Sequence, residues 1–571
     1  ATVLVTTPFP HEVAAERYAE RRTLVDDHVM EKLRAIRLPP ADACDDATFL
    51  RRVMLDLVGT LPAADEVRAF LADADPAKRE KLVESLFARP EFADFWTLWL
   101  SDLLQNRKER DHDVRGVKGV RAFHAWLRGQ VAANRPWNEL VRDVLTARDD
   151  HPAVGWWIVT VGEKQAVDSE AADSAAQAFL GSRIGCARCH NHPLERFTQD
   201  DYYHFAAFFS RVSLDRRPPA EGATLLVVAS RQERDLEREK RGVEQELAKL
   251  EAAAAGTPAD PAEVEGKRTR IGNLAGEVEK ARLAPVMAIQ PRTGSHLAPQ
   301  GLDRRAVEIP PGSDPRERLA AWIVSPDNPL FAAAIVNRLW KHFFAVGLVE
   351  PVDDLRATNP PSNAALLEAL SRELVGSGYD LRHVMRLIVN SRAYRLASDT
   401  SPANASDDRL HSHWYPRRLQ AEVLADAIAK ATGVPDTFAG TPEGTRAIRL
   451  PGPQTDSYFL ATFGRSDRVT ACACERSGDV TLPQLLHLQN GDAIQAKLRR
   501  EDGRLATLLA TTDGKDNERL VDELFLATLG RPPRDAEREA VAAALVGGNR
   551  EEVAADLLWA LVNSKEFTFN H

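Results

Sequence analysis

The sequence predicts a mainly α, multi-helical protein of two domains, with a small β element and an inserted antiparallel coiled-coil hairpin. Three observations predict this class. Apolar residues recur every three or four positions along most of the 571 residues. Proline, glycine and capping residues divide these stretches into segments of helix length. Runs of β-branched residues are few and short, so large sheets are not expected.

Composition limits the class of protein and its partners. Hydrophobic residues make up 44% and charged residues 28% of the chain, as in globular proteins. No apolar run approaches the roughly 18 residues that cross a bilayer, so we expect no membrane span. The formal net charge is −10. Acidic residues are interspersed among the arginines, and we expect no nucleic-acid partner because phosphate binding needs a clustered basic face.

The first predicted domain, residues 1–222, is a succession of short helices and carries a C-x-x-C-H motif. Residues 92–103 hold an aromatic stripe, which we interpret as core packing, with a wall facing a haem as the alternative. The helices are predicted at 16–38, 48–58, 65–72, 78–87, 92–103, 120–134, 137–147, 168–181 and 199–209.

The middle segment, residues 223–290, differs in character from its surroundings. Leucine and valine keep heptad-like spacing through the strongly charged stretch 231–283, on both sides of Gly256-Thr257-Pro258, which predicts an antiparallel helical hairpin. Short β-branched runs at 224–228 and 286–289 flank it and are predicted to pair with each other. The hairpin is either a solvated arm or a surface for a protein partner.

The second predicted domain, residues 291–571, returns to short amphipathic helices from Asp314-Pro315 to the C terminus. His342 lies on an apolar helix, where a hydrogen-bonded core histidine is a better interpretation than a ligand. The segments are predicted at 314–343, 364–375, 381–388, 482–491, 520–529 and 553–561.

The most informative stretch is Cys186-Ala187-Arg188-Cys189-His190-Asn191-His192-Pro193. C-x-x-C-H is the spacing of covalent c-type haem attachment, in which two thiols form thioethers and the adjacent imidazole, here His190, reaches the iron. The flanking patterns place it in a turn between two helices. The second helix has an aromatic face at 202–209, which a planar cofactor could pack against but which an ordinary core explains nearly as well. Two alternatives stay open: a zinc site formed from these thiolates and an imidazole, or unligated thiols.

A second cysteine pair occurs in Cys472-Ala473-Cys474-Glu475-Arg476. Two sulfurs at C-x-C spacing can hold one metal or react in sequence. His487 follows on a short apolar helix, as a core histidine or a distal ligand. The remaining cysteine, Cys44, is predicted to be a small core residue.

The two pairs permit two models of the site. In the haem model Cys186, Cys189 and His190 hold the cofactor, and His487 or His192 completes the iron coordination. In the zinc model both cysteine pairs meet, with His190 or His192 nearby, and so join the two domains. A hydrolase is a third interpretation, but no G-x-S-x-G, H-E-x-x-H or P-loop motif supports it.

Further motifs extend over nearly the whole chain. In the first half they are Arg51-Arg52 through Asp56 to Gly59-Thr60-Leu61-Pro62, and the C-x-x-C-H-N-H-P stretch with residues 198–203. In the second half they are Asp314-Pro315-Arg316, Asn328-Pro329, Asn337-Arg338-Leu339-Trp340, Asp353-Asp354, Asn359-Pro360-Pro361, Ser391-Arg392-Ala393-Tyr394, Arg418-Leu419-Gln420-Ala421-Glu422, Cys472-Ala473-Cys474-Glu475-Arg476, His487 and Phe569-Asn570-His571. With these motifs the chain resembles the exported planctomycete-type cytochrome C domain proteins, in which two domains of unknown function occur together.

The resemblance implies an extracytoplasmic protein, periplasmic or secreted, where covalent haem attachment takes place. It implies no particular reaction, because the biochemistry of the family is largely unassigned. We therefore expect a haem c protein in electron transfer or redox catalysis, acting with a redox partner protein or a small substrate of unknown identity. The alternative is a non-haem zinc protein whose two motifs form a structural or hydrolytic site, and whether the protein is an enzyme stays open.

Overall fold

The computed structural model describes residues 7–109, 115–148, 151–162, 166–214, 226–253, 260–472, 475–476, 481–484, 492–512 and 516–571. Within these residues the protein is mainly α-helical, and the strands form three two-stranded antiparallel sheets. The predicted fold class is confirmed. The chain forms two compact units: unit 1 consists of Ala1–Lys108, Val117–Trp137 and Pro329–His571, and unit 2 of Glu109–Gly116 and Asn138–Asn328.

Unit 1 is built from short helices of the N-terminal and C-terminal parts of the chain. Its N-terminal helices are Ala15–Tyr18 (3₁₀), Leu24–Ile36, Asp46–Val58, Ala64–Ala72, Lys78–Phe87, Pro90–Leu103 and Gly116–Ala132. Its C-terminal helices are Pro329–Phe344, Ala364–Gly376, Leu381–Val389, Ala393–Arg395 (3₁₀), Ala421–Thr432, Ala447–Arg449 (3₁₀), Tyr458–Thr462, Asp492–Leu498, Arg504–Thr511, Asn517–Leu529, Asp535–Gly547, Arg550–Asn563 and Lys565–Thr568. One small sheet pairs Arg417–Arg418 with Phe569–Asn570.

The helix Asp46–Val58 lies in the core of unit 1. Asp45 begins it by accepting a hydrogen bond from the Thr48 amide, and Gly59 ends it in the left-handed region at φ 58°. A Cβ at Gly59 would lie 2.6 Å from the Phe95 ring, so only glycine fits there. Every residue of the helix from position 49 to 58 is buried, which leaves it no solvent-facing side.

Two arginines of this buried helix donate hydrogen bonds to backbone carbonyls of distant segments. Arg51 donates to the carbonyls of Thr528 at 2.9 Å and Phe567 at 2.8 Å. Arg52 donates to those of Tyr394, Leu396 and His571 at 2.5, 2.9 and 3.1 Å. A buried guanidinium needs such partners because unpaired polar groups are costly in the interior. The two arginines therefore fasten the N-terminal helix to the C-terminal part of unit 1.

Unit 2 is smaller and holds the other two sheets. Its helices are Trp137–Thr146, Val154–Val161, Ala166–Asp168 (3₁₀), Ala171–Leu180, Gly185–Arg188 (3₁₀), Gln199–Ala206, Ala207–Phe209 (3₁₀), Arg231–Ala253, Pro261–Arg282 and Pro315–Ile323. Trp137, the first residue of this list, belongs to unit 1. Val154–Val161 is buried throughout, and its two tryptophans pack against Phe179 and Phe209.

The predicted helical hairpin is confirmed, but the predicted pairing of its flanks is wrong. Helices Arg231–Ala253 and Pro261–Arg282 are joined by ion pairs of antiparallel register, among them Lys267–Glu246 at 2.7 Å and Arg270–Glu239 at 2.6 Å. The strands beside the hairpin pair with their neighbours in sequence: Leu226–Val228 with Val212–Leu214, and Ala288–Ile289 with His296–Leu297. Closing these short loops costs less chain entropy than pairing across the whole hairpin.

Across the described part of the chain, no helix combines the length and the apolar character needed to span a membrane.

Candidate functional site

The C-x-x-C-H motif lies in a turn between two helices of unit 2, as predicted. The helix Ala171–Leu180 ends at Gly181, which adopts the left-handed conformation at φ 57°. A short 3₁₀ turn, Gly185–Arg188, follows and carries the first cysteine, and the next helix is Gln199–Ala206. Cys186 and Cys189 are both exposed and both free thiols.

Several hydrogen bonds hold this turn against the second helix. Gln199 donates through its side chain to the Arg188 carbonyl at 3.1 Å and through its backbone to Asn191 Oδ1 at 3.0 Å. The His192 amide donates to the Phe197 carbonyl at 2.8 Å. Ala187, between the two cysteines, is fully buried. The turn is thus anchored on its inner side, and its two thiols remain accessible from solvent.

The two histidines of the motif differ in their hydrogen bonding. His190 Nδ1 lies 2.8 Å from the Asn191 carbonyl oxygen, which only accepts, so Nδ1 carries the proton and Nε2 keeps a free lone pair. The Leu194 amide donates to His192 Nδ1 at 3.2 Å, so in the neutral ring the proton sits on Nε2. A metal binds the unprotonated nitrogen, and hydrogen bonding at the other nitrogen fixes the tautomer. His190 therefore offers Nε2 to a metal, whereas the unprotonated nitrogen of His192 accepts a hydrogen bond from the Leu194 amide.

A buried carboxyl group lies beneath the same turn. Asp173 Oδ2 accepts from Tyr202 Oη at 3.4 Å, and a Cβ on Gly185 would lie 3.4 Å from Asp173 Oδ1. Burial, reinforced by the neighbouring Glu170 carboxylate, raises the pKa of Asp173 to about 7, against the opposing effect of Arg188. Asp173 thus changes charge near neutral pH, close to the cysteine turn.

The aromatic face of the second helix forms part of the core of unit 2. Tyr202, Phe205, Phe208 and Phe209 are almost completely buried, and Phe205 packs against Trp322 with ring centroids 6.0 Å apart. These rings therefore pack in the core of unit 2, and their role as a wall for a planar cofactor stays a prediction. What the structure offers a haem is the attachment chemistry itself: two free exposed thiols and one imidazole with an available Nε2.

The described residues contain no group of three or more His, Cys, Asp or Glu side chains arranged to hold a metal ion. Cys472 is disulfide-bonded and so offers no thiolate. Cys474 and His487 lie outside the described residues. The zinc model, with both cysteine pairs and His190 or His192 as ligands, stays a prediction. Cys44 is a buried free thiol, as predicted.

Cys472 belongs to the wall of a pocket in unit 1 with a volume of about 490 Å³. Four helices contribute to the wall: Asp46–Val58, Pro90–Leu103, Pro329–Phe344 and Ala421–Thr432. The remaining wall comes from the strand Arg417–Arg418, the segment around Cys472 and the C-terminal end of the chain. The polar and aromatic residues that line it are Asp56, Phe95, Trp99, Asp102, Arg338, Lys341, His342, Arg417, Arg418, Gln420, Phe463, Ser466, Cys472, Glu475, Arg476, Phe569 and Asn570.

Asp56 organises one side of this pocket. Its carboxylate accepts from Tyr394 Oη at 2.8 Å and from Asn570 Nδ2 at 2.7 Å, and it is paired with Arg417. Burial raises the pKa of Asp56, although Arg417 opposes the effect. The Asp56 carbonyl accepts from His342 Nε2 at 2.9 Å, so His342 is hydrogen-bonded as predicted. Burial lowers the pKa of His342 to about 3, which keeps the ring neutral at physiological pH.

The other side is held by a buried charge network around Arg476. This arginine donates to Asp102 Oδ2 at 2.7 Å and to Glu422 Oε2 at 2.8 Å. Burial alone would raise the pKa of Glu422, but Arg476 and Arg465 outweigh it and lower that pKa to about 2. Glu475, next to Arg476, accepts from Ser466 Oγ at 2.9 Å. Ion pairs and hydrogen bonds therefore hold Glu475 and Arg476 beside the disulfide.

This pocket was not predicted from the sequence, although residues of the family motifs line it. Its wall takes residues from the segments that begin at Arg51, Asn337, Arg418, Cys472 and Phe569, each of which contributes to the family resemblance. The segments are far apart in sequence, and none has the spacing of a self-contained site. Only the tertiary fold of unit 1 places them around one cavity.

Comparisons with known proteins agree with these motifs. A family model described as a protein of unknown function, DUF1549 or PSCyt2, matches residues 24–214, and a second, DUF1553 or PSD1, matches residues 315–545. No curated protein and no solved structure matches the chain significantly. The two family models together match about three quarters of the chain, in the order of the paired domains that the sequence resembles. The chain therefore belongs to the family of proteins in which the PSCyt2 and PSD1 domains of unknown function occur together.

Proposed function

We propose that this protein is an extracytoplasmic c-type haem protein that works in electron transfer or redox catalysis. Cys186 and Cys189 would hold the haem through thioether bonds, and His190 would be the axial ligand. The observation that supports this best is the combination of two free, exposed thiols with a histidine whose Nε2 lone pair is available. When bound, haem supplies one-electron redox chemistry, which no amino-acid side chain of the site provides.

The residues of the turn have distinct tasks in this proposal. The Asn191 carbonyl oxygen accepts a hydrogen bond from His190 Nδ1–H. This bond orients the ring and increases the basicity of Nε2. Gln199 holds both ends of the turn through Arg188 and Asn191, and so keeps the thiols and the imidazole on one short segment. The exposure of the motif suits exchange of electrons with a partner protein. His192 or His487 would complete the iron coordination. His192 would bind through Nε2 only after its proton has moved from Nε2 to Nδ1.

The disulfide at Cys472 supports the proposed location. Disulfides persist in oxidising compartments outside the cytoplasm, where covalent haem attachment also takes place. The support is independent of the family resemblance.

Haem attachment is tested by producing the chain in an export system with a c-type haem maturation apparatus. We expect a Soret band that persists in denaturant, together with an intact mass raised by one haem. Cys186→Ala combined with Cys189→Ala should abolish both signals. His190→Ala should keep the covalent haem but change the spectrum, because the axial ligand is lost.

His192→Ala is the matched control, since it removes an imidazole from the same turn without removing the prepared ligand. We expect it to keep the covalent haem, and its spectrum to change only if His192 is the second ligand of the iron. An intact mass equal to that of the bare chain, with no Soret band, would contradict the proposal. The zinc content of the same sample is measured as well. About one zinc per chain in protein without haem would favour the zinc model.

A further inference from the structure

The pocket in unit 1 has no part in the proposed haem attachment, whose residues belong to unit 2. Its volume of about 490 Å³ falls within the range of small-molecule sites, which is roughly 300–1,000 Å³. The wall combines charged groups with the aromatic side chains Trp99 and Phe463. Such a mixture of apolar surface and converging polar groups is typical of a ligand site.

The charges around the pocket have a positive excess. Five cations and three carboxylates line it among the described residues: Arg338, Lys341, Arg417, Arg418 and Arg476, against Asp56, Asp102 and Glu475. Behind this wall, the carboxylates of Glu350 and Glu422 are accompanied by the cations Arg465 and Arg468. The chain as a whole has a formal net charge of −10, so the pocket is locally opposite in sign. A cleft lined by one sign of charge concentrates ligands of the other sign.

Two of these cations are suited to meet a ligand. Arg417 pairs with Asp56 through Nη2, while its Nη1 is buried without a hydrogen-bond partner in the described part of the structure. Lys341 is 36% exposed and pairs with Glu350, which is itself 33% exposed. An exposed ion pair of this kind contributes little to stability, and its lysine can exchange partners at low cost. Lys341 adjoins His342, whose ring bonds to the backbone of Asp56.

The wall of the pocket also has an aromatic part. Trp99 packs against Trp96 with ring centroids 5.5 Å apart, and Phe463 stacks on Phe459 at 4.3 Å. Both rings line the cavity and are held in place from behind. They offer flat apolar surfaces next to the cations, where a planar or chain-like group could lie.

We propose that this pocket binds a small organic anion, whose carboxylate or phosphate group pairs with Arg417 and Lys341 and whose body lies against Trp99 and Phe463. A carboxylate and a phosphate share the chemistry that a guanidinium recognises, since both accept parallel N–H bonds. The ion pair to Asp56 leaves the Nη1 group of Arg417 unused, and 23% of the Arg417 side chain is exposed. The proposal does not depend on the proposed haem function.

The charge preference is tested with probes that differ in charge but hardly in shape. Benzoate, benzamide and benzamidine have nearly the same shape and carry negative, neutral and positive charge. Binding to the full chain is measured by ligand-observed NMR and by tryptophan fluorescence, at low ionic strength. We expect benzoate to bind at least about tenfold more tightly than benzamide, and benzamidine to bind no more tightly than benzamide. Phenyl phosphate shows whether the pocket prefers a phosphate to a carboxylate.

Variants of residues that line the pocket test whether the preference for benzoate over benzamide arises there. Lys341→Gln should remove most of the advantage of benzoate over benzamide, and its partner Glu350 stays partly solvated, so folding should be preserved. Arg417→Gln should have a larger effect, but it leaves the buried Asp56 without its cation and is checked for folding by circular dichroism. Arg17→Gln is the control, because Arg17 forms an exposed ion pair in the same unit outside the pocket.

Three results would overturn the proposal: no binding of either anion, equal binding of benzoate and benzamide, or an unchanged preference in folded Lys341→Gln protein. None of them bears on haem attachment, which is measured on other residues and by a different signal.

Discussion

Replacing Asp173 by asparagine should stabilise the protein at alkaline pH and have little effect at acidic pH. The Asp173 carboxyl group is largely buried beneath the cysteine turn, and Oδ1 has no hydrogen-bond partner among the residues that the structure describes. Burial and the nearby Glu170 raise its pKa from 3.8 to about 7. The folded state therefore holds this proton more tightly than the unfolded state does.

The sign and the size of the effect follow from proton linkage. Between pH 4 and 7 the folded protein binds more protons than the unfolded chain, so the free energy of unfolding falls as the pH rises through this window. Each pH unit is worth about 1.36 kcal/mol. The full penalty above pH 7 is about 4 kcal/mol at most, and solvent screening of a group that is not completely buried reduces it to about 2–4 kcal/mol. At pH 4.5 it is only about 1 kcal/mol.

Asparagine has the same shape and cannot ionise, so Asp173→Asn removes the penalty. In a body of the size of unit 2 each kcal/mol changes the melting temperature by about 2–4 °C, so at pH 8 the variant should melt about 4–16 °C above the unaltered protein. Calorimetry at pH 4.5, 6 and 8 measures the difference. Asp200→Asn, which changes an exposed carboxylate of the next helix, should alter the melting temperature by less than about 2 °C. A gain for Asp173→Asn that is the same at every pH would refute the argument from ionisation.

Two further predictions concern the buried arginines and the cysteines. Arg52→Ala removes the Arg52 donors from three backbone carbonyls, in two buried hydrogen bonds and one part-buried one, and should reduce the free energy of unfolding by more than about 3 kcal/mol in urea titrations. Arg34→Ala, which breaks an exposed ion pair, should cost less than about 0.5 kcal/mol. In haem-free protein a thiol reagent should find two thiols in the native state and three in denaturant, because Cys44 is buried; reduction should raise the number to five. Five thiols without reduction would contradict the disulfide.

Local patterns in the sequence predicted the elements of this protein well. The heptad spacing around Gly256-Thr257-Pro258 predicted the hairpin, because every turn of both helices repeats the same signal. The capping residues at Asp314-Pro315 and Thr198 also begin helices in the structure. These features depend on residues a few positions apart, so they can be recognised in the sequence before the fold is known.

Features that depend on distant residues were not predictable in the same way. The runs beside the hairpin are equally β-branched, and the sequence does not show which partner each one has. Arg417 and Asp56 are 361 positions apart, and neither belongs to a pattern that points to the other. The hydrogen bonds that distinguish His190 from His192 depend on the path of the backbone through Asn191 and Leu194. The motif could supply the ligand types but not their tautomers.

The buried charges of the helix Asp46–Val58 depend on both regions of this chain that the family models match. This helix lies in the region matched by the PSCyt2 model, and it buries Arg51, Arg52 and Asp56. Their partners include the carbonyls of Thr528 and Tyr394 and the side chain of Arg417, all from the region matched by the PSD1 model.

Without the second region these buried charges would lose their partners, which costs several kcal/mol for each uncompensated ion. Arg51 and Arg52 also bind the carbonyls of Phe567 and His571, beyond residue 545 where the second match ends. The unit that must fold together therefore extends past both matched regions and includes the C-terminal end of the described chain. The pocket, whose wall contains Asp56, Arg417 and Asn570, can form only when all three of these parts are in place.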